Sequence, residues 1–270
     1  MANIKDVARE AGVSVATVSR VFNDSELVSD ETRRNVRDVA GRLKYWPNGV
    51  ARSLITSRTN AFGVLLPDLY GDFFSELIRG IDLAARREGF HLLVSSSPSD
   101  TDELVAAMRS MRGRIDGLVV MAPDLDSAAA IHDAAGGFPV VVLDPGVGLA
   151  SWDTISMANQ DGAFQVVRHL IGLGHHRIAA VTGPRDNIDA QQRVAGYRAA
   201  LAEAGIAHDA QLEIEGDFTE PSGYRAVGTL LGLSPRPTAA FFGNDYMAIG
   251  LLSALRDADV HPVCLGLRLH

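Results

Sequence analysis

From residue 61 onward, short apolar runs alternate with stretches of helical periodicity, and this alternation leaves few folds open. The runs are 62–66, 91–95, Gly117–Met121, Val140–Leu143, Ile178–Thr182, 212–214 and Ala239–Phe242. Helical stretches at 74–87, 103–112, 163–173, 193–204, 223–231 and 246–257 separate them. Strands that are apolar throughout are buried on both faces, so the pattern predicts parallel sheets covered by helices on each side. A chain of 270 residues, 47% of them hydrophobic, can bury a large core and hold more than one domain. A boundary near 150–162 would fit the pattern. No internal repeat or low-complexity segment interrupts it.

The first 60 residues read differently. Ile4, Val7, Ala8 and Ala11 fall at i, i+3, i+4 and i+7, one apolar face of a short helix. Asn3 can cap it, Asp6 sits near its electropositive start, and Gly12 tolerates the left-handed conformation that ends a helix. Ser14 caps a second helix, with Val15, Val18 and Phe22 on its apolar side and Ala16, Thr17 and Arg20 facing elsewhere. A short, small, lightly polar first turn followed by Arg20 suits a helix laid N-terminus first into a major groove. Taken alone, the same residues also suit a helical hairpin in any small bundle. Ser29 caps a third helix to about Leu43, with Val36, Val39, Ala40 and Leu43 on one face. Its Arg33, Arg34 and Arg37 fit a solvated face better than a phosphate contact. Residues 44–60, with Pro47, Gly49 and several Ser and Thr, read as a linker in which 50–54 could form one or two helical turns.

Charge divides along the same line. Residues 1–60 hold ten Lys/Arg and seven Asp/Glu, a net +3, which leaves −11 for residues 61–270 of a chain whose total is −8. A basic end can meet phosphate while an acidic body is held away, which orients the molecule on a polyanion. The single cysteine, Cys264, excludes an intrachain disulfide framework and a cysteine metal cluster. No phosphate-binding glycine loop, dinucleotide fingerprint or nucleophile elbow is present, so enzyme chemistry has no motif to rest on. His175 and His176 lack evident metal partners and suit the end of a helix. No cofactor and no metal are expected. Neither a secretory signal at residues 1–20 nor a bilayer-length apolar run is found, so the expected location is the cytoplasm.

The motifs Ile4-Lys5-Asp6-Val7-Ala8, Ala11-Gly12-Val13-Ser14 and Thr17-Val18-Ser19-Arg20-Val21 together resemble the headpiece of the lactose-repressor (LacI) family of bacterial transcription regulators. Val28-Ser29, Glu31-Thr32-Arg33, Pro47-Asn48 and Ala51-Arg52-Ser53-Leu54 extend the likeness. The resemblance implies a helix-turn-helix headpiece (1–46), a hinge helix or linker (47–60) and a periplasmic-binding-protein-like effector core (61–270). That core would comprise an N-subdomain (about 61–160) and a C-subdomain (about 161–270), with a ligand cleft between. It implies DNA contacts by Ser14, Val15, Ala16, Thr17, Arg20, Ala51 and Leu54, the last wedged into the minor groove, although Leu54 could also simply pack the headpiece on the body.

For the cleft, the likeness points to Asp72, Phe73, Phe74, Asp144, Arg193, Phe218 and Asn244, read as lying on loops after strands, with Arg193 opening a helix. Aromatic faces can stack on a sugar ring while Asp, Arg and Asn orient its hydroxyls. Phe74 also suits a core position, and Asp144 a turn. The implied partners are double-stranded operator DNA, a small sugar-like effector and a second copy of the chain in a homodimer built on the helices at 74–87 and 246–257; no membrane is implied.

The resemblance ends at about Val260. The Gly-aromatic-Asp segment that gives the family's cleft an acidic ligand does not follow, so a truncation or reading-frame change after about residue 258, and an incomplete C-subdomain, are expected. The function expected is therefore a repressor controlled by a sugar-like effector. The alternatives are a solute-binding protein or a defective regulator that retains only DNA binding.

Overall fold

The computed structural model describes residues 2–23, 27–46, 58–69, 71–96, 101–121, 127–136, 139–144 and 152–260. Three helices come first: α1 (Ile4–Ala11), α2 (Val15–Phe22) and α3 (Asp30–Arg42). Their facing sides form one core of Val7, Ala8, Ala11, Val18, Val21, Val36, Val39 and Ala40. The sequence places Val15 on the apolar side of α2, and the structure corrects this. Val18 and Val21 are fully buried and Phe22 packs against the same core, whereas Val15, one turn nearer the start of the helix, is 41% exposed. The Asn35 amide donates to the Ala11 carbonyl at 3.0 Å and Arg42 pairs with Glu10 at 3.2 Å, which ties α3 to α1.

The first α/β unit contains β1 (Ala61–Leu66), α4 (Asp72–Arg87), β2 (His91–Ser96), α5 (Thr101–Met111), β3 (Gly117–Met121), α6 (Ser127–Ala135), β4 (Val140–Leu143) and β5 (Asp153–Ile155). All pairings are parallel, in the order β2-β1-β3-β4-β5. Alternation along the strands separates the two faces. Leu65, Leu118, Val120, Val140 and Val142 meet Leu104, Met108 and Met111 of α5 and Ile131 of α6. Val64, Leu66, Met121 and Leu143 meet Leu77, Ile78 and Ile81 of α4. Two elements are absent from the sequence expectation. β5 is three exposed residues, and α6 is an alanine-rich segment whose apolar residues trace no clear stripe.

The second unit begins at α7 (Asn159–Gly172) and continues through β6 (Ile178–Thr182), α8 (Ile188–Glu203), a short 3-10 turn (Ala210–Leu212), β7 (Glu213–Glu215), α9 (Glu220–Gly232), β8 (Ala239–Phe242) and α10 (Asp245–Asp257). Its parallel sheet has the order β7-β6-β8. Ile178 and Ala180 face Val167 of α7 and Tyr197, Ala200 and Leu201 of α8. Ala179 and Val181 face Val227 and Leu230 of α9 and Met247 and Leu251 of α10.

Two helix pairs approach unusually closely. A Cβ at Gly196 of α8 would lie 2.1 Å from the Gln160 carbonyl of α7. One at Gly223 of α9 would lie 1.9 Å from the Met247 carbonyl of α10, and one at Gly250 of α10 would lie 1.9 Å from the Glu220 carbonyl. Only glycine allows that backbone contact.

Candidate DNA-reading helix and interdomain cleft

The start of α2 is built by its caps. Gly12 closes α1 in the left-handed region (φ 68°), and Val13 N–H reaches back to the Ala8 carbonyl at 3.0 Å, which turns the chain sharply. At the head of α1 the Asn3 side chain accepts from the Lys5 and Asp6 N–H groups, while Asp6 accepts from the Asn3 N–H, a reciprocal cap. Ser14 Oγ accepts the Thr17 N–H at 3.1 Å and lies 2.9 Å from Thr17 Oγ1. One hydroxyl of that pair must donate to the other, so one hydroxyl hydrogen remains to face outward. Val18 and Val21 anchor α2 from behind, and Val15, Ala16 and Arg20 stand exposed on its outer side. Ala51, Leu54 and Gly49 lie outside the described residues.

At the C-terminal ends of the strands, residues of both sheets converge. Asp144 follows β4 and is 5% exposed; one carboxylate oxygen accepts from Met157 N–H at 2.6 Å. Arg193 donates from Nε to Asn159 Oδ1 at 2.9 Å and from Nη1 to the Gly243 carbonyl at 2.7 Å. Asn159 in turn donates to Asp189 Oδ1 at 3.2 Å. The Arg193 guanidinium lies over the Phe218 ring, 5.7 Å from its centroid. Phe218 holds a left-handed backbone (φ 66°), its ring covers Gly183, and its carbonyl accepts from Asn244 Nδ2 at 2.7 Å. Asn244 Oδ1 caps α10 by accepting the Met247 N–H. Asp144 (φ 44°) is likewise left-handed, so two side chains of the cluster sit on costly backbone conformations, as functional clefts commonly allow.

The electrostatics follow from two buried carboxylates sharing one guanidinium. Burial and the neighbouring Asp144 charge push Asp189 up to about 6, with Arg193 partly opposing. Burial raises Asp144, against the Met157 hydrogen bond and Arg193. Burial lowers Arg193, and Asp189, Asp144 and Asp245 restore part of the loss. The cluster therefore offers carboxylate acceptors, an amide and an aromatic face, the equipment for holding a polar ring.

Of the residues marked in the sequence, Asp144, Arg193, Phe218 and Asn244 are brought together. Arg193 does not open its helix; it stands in the second turn of α8, because Asn187 caps that helix through the Ala190 N–H. Asp72, Phe73 and Phe74 are not on a loop but in the first turn of α4. Phe74 packs against the core of Val64 and Leu66, and Phe73 is exposed. Gly71, just before them, faces the Tyr246 ring at the start of α10, so the head of α4 and the head of α10 are adjacent. Asn159 and Asp189 were missed. The four-residue spacing of Asp189 from Arg193 on one helix face was a usable signal for the second; nothing in the sequence singled out Asn159.

An apolar groove of about 860 Å³, lined by Phe62, Ile81, Val119, Val141 and Trp152, lies toward the other end of the first unit's sheet and has no comparable convergence of polar groups. His175 Nδ1 lies 3.0 Å from Thr238 Oγ1, beside the end of α7. Among the described residues no group of His, Cys, Asp and Glu is arranged to hold a metal, and no helix is long and apolar enough to cross a membrane.

Two family profiles cover almost the whole chain. Residues 3–48 match the bacterial regulatory proteins of the lacI family, and residues 59–261 match the periplasmic binding proteins and sugar binding domain of the LacI family. The chain belongs to the LacI family. It is a DNA-binding transcriptional regulator, not an enzyme. Among its relatives, the HTH-type transcriptional repressor PurR of Mannheimia succiniciproducens is 34% identical over 259 residues, covering 95% of this chain and 78% of that protein. Catabolite control protein A of Priestia megaterium is 36% identical over 256 residues, covering 94% and 77%. The lac repressor dimer bound to operator and the anti-inducer ONPF superposes with a TM-score of 0.86 at 32% identity, over 96% of this chain and 78% of that one. The transcriptional regulator CelR–cellobiose complex superposes with a TM-score of 0.67 at 29% identity, over 97% and 80%. The LacI-family fold, a helix-turn-helix headpiece followed by an α/β sugar-binder core, is the one described above.

Proposed function

We propose that this LacI-family chain represses transcription as a two-fold dimer on a palindromic operator, acting in the cytoplasm at the nucleoid. Val15, Ala16 and Arg20 of α2 read base edges, and Ser14 and Thr17 place their shared hydroxyl donor against phosphate. Ala51 and Leu54 belong to the hinge that orders on DNA. The cleft of Asp144, Asn159, Asp189, Arg193, Phe218 and Asn244 takes an uncharged, hydroxyl-rich effector, with Asp72 and Phe73 on the opposite lip. The observation that carries this reading is the convergence of residues from both sheets on one guanidinium. A ligand held there interacts with both units at once, so it favours one arrangement of the two over the other.

The lac repressor and CelR complexes support the same division of labour, since an operator and a sugar-type ligand are named in them. The test has two arms. Duplexes selected from a random pool should converge on a palindrome, and a panel of uncharged mono- and disaccharides should contain one that changes retention of that duplex. Arg193→Ala should abolish the change and leave the duplex bound. A selected pool without two-fold symmetry, or an effector response that survives Arg193→Ala, would refute the reading.

A further inference from the structure

The residues that lead from the linker into the body are fastened by one side chain. Asp116 lies between α5 and β3 and spends both carboxylate oxygens on them. Oδ1 accepts from the Thr59 N–H at 2.7 Å and from Thr59 Oγ1 at 2.8 Å, and Oδ2 accepts from the Asn60 N–H at 2.9 Å. The backbone adds two links: Asp116 N–H donates to the Ala61 carbonyl at 2.7 Å, and His91 N–H donates to the Asn60 carbonyl at 2.9 Å. Asn60 adopts a left-handed backbone (φ 51°), so the chain enters β1 through a turn that the carboxylate stabilises.

Strand pairing alone does not require this arrangement. β1 pairs with β2 from Ala61, one residue beyond the last that Asp116 holds through its side chain, and with β3 from Phe62. The carboxylate therefore extends the rigid sheet backward into the linker. The anchor sits at the N-terminal ends of the parallel strands, and the Asp144–Arg193 cleft at the C-terminal ends, about 20 Å away for strands of this length. Cleft and linker are thus at opposite ends of one stiff sheet.

We propose that Asp116 is a positioning residue for operator binding, fixing the linker exit to the sheet of the first α/β unit so that the orientation of the body is imposed on the hinge and headpiece. Freed of that carboxylate, the headpiece still meets DNA through α2, but the body no longer helps to order the hinge. Sequence-selective binding suffers and charge-driven binding does not, because the latter depends on phosphate contacts alone.

This inference rests on the reading of α2 as the DNA-reading element. The probes are the duplex that the parent chain selects from a random pool and a scrambled duplex of equal length, at fixed salt. For Asp116→Ala, the ratio of selected to scrambled affinity should fall about fivefold to tenfold, with scrambled affinity unchanged. Amide exchange at Thr59 and Asn60 should accelerate in the same variant. Asp116→Asn keeps one acceptor oxygen and should fall between parent and Asp116→Ala. Thr59→Val removes one hydroxyl bond from a half-buried linker residue and should lower the ratio slightly with the melting temperature unchanged.

A ratio equal to the parent's in a folded Asp116→Ala chain whose Thr59 and Asn60 amides exchange faster would overturn the proposal, reducing Asp116 to a cap on β1. If Asp116→Ala fails to fold, Thr59→Val decides: a lowered ratio supports the anchor, and an unchanged ratio removes it. Failure of the underlying reading looks different, since the parent itself would then select no duplex.

Discussion

Replacing Asp189 by asparagine should make the second α/β unit more stable at neutral pH, against the usual expectation for a cleft residue. Asp189 is 5% exposed, its carboxyl is pushed up to about 6 from an ordinary 3.8, and among the described residues it accepts a hydrogen bond from the Asn159 amide. A folded-state proton affinity above that of the unfolded chain stabilises the protein fully below about 3.8, and the benefit is lost as pH rises through about 6. Each tenfold in proton affinity is worth about 1.4 kcal/mol, so the ionised carboxylate costs up to about 3 kcal/mol at pH 7.5 relative to pH 4. Relaxation around a cleft group brings the realistic figure to about 1–3 kcal/mol.

Asparagine has nearly the same shape, keeps an oxygen for Asn159 and carries no charge. The variant should match the parent at pH 4 and exceed it by about 1–3 kcal/mol at pH 7.5, with the gain appearing between pH 4 and 6. Native-state hydrogen exchange at the amides of β6 and α8 measures the opening free energy of this unit. Comparing variant with parent at each pH cancels the opposite contribution of Asp209 and Asp217, whose carboxyls are held below their usual range and whose stabilisation is lost as pH falls. A variant less stable than the parent at pH 7.5 would show that Arg193 compensates the Asp189 charge in full, and the argument from burial would fail.

Arg20→Ala should cost about 1–3 kcal/mol on the selected duplex and relax base choice at one position of each half-site, read by competition against single-base variants; an equal loss on every sequence would make Arg20 a phosphate contact. Gly49 immediately precedes the helical turns expected at 50–54, where the resemblance implies a helix-favouring alanine, and glycine disfavours helix relative to alanine by up to about 1 kcal/mol. Gly49→Ala should therefore raise affinity for the selected duplex and leave scrambled DNA unchanged, as measured by titration at fixed salt. Gly223→Ala would place a methyl group 1.9 Å from the Met247 carbonyl and force α9 from α10. It should cost at least about 1–3 kcal/mol by urea titration of the β8 amides' protection.

Much of the fold was legible because its signals are local. Asn3, Gly12, Ser14 and Ser29 mark helix ends through hydrogen bonds within a few residues, and the structure makes those bonds. The long apolar runs mark β1, β3, β4 and β6 because a strand buried on both faces has no polar face to disguise it. β5 escaped because Asp153, Thr154 and Ile155 are all exposed and owe their strand geometry to β4 alone. Val15 shares the apolar stripe of α2 in the sequence yet stands outside the core, because an eight-residue helix offers too few turns to fix which edge of that stripe faces inward.

The site divides in the same way. Arg193, Phe218 and Asn244 were legible through the family likeness, and Asp189 was within reach of simple helix geometry. The place of Asn159, between Arg193 and Asp189, depends on α7 crossing α8, a long-range contact that the sequence does not encode locally.

The contacts at Gly196, Gly223 and Gly250 bear on how such a protein can diversify. Asn159 rides on α7, with Asp189 and Arg193 on α8, and those helices touch backbone to backbone at Gly196. Phe218 leads into α9 and Asn244 caps α10, and these touch at Gly223 and Gly250. The spacing of each mount is thus set where a side chain is missing, away from the side chains that would face a ligand. Substitutions at the ligand-facing positions can accumulate without moving the mounts, so gene duplicates can acquire new chemical preferences one residue at a time while three glycines remain under a separate and stricter constraint.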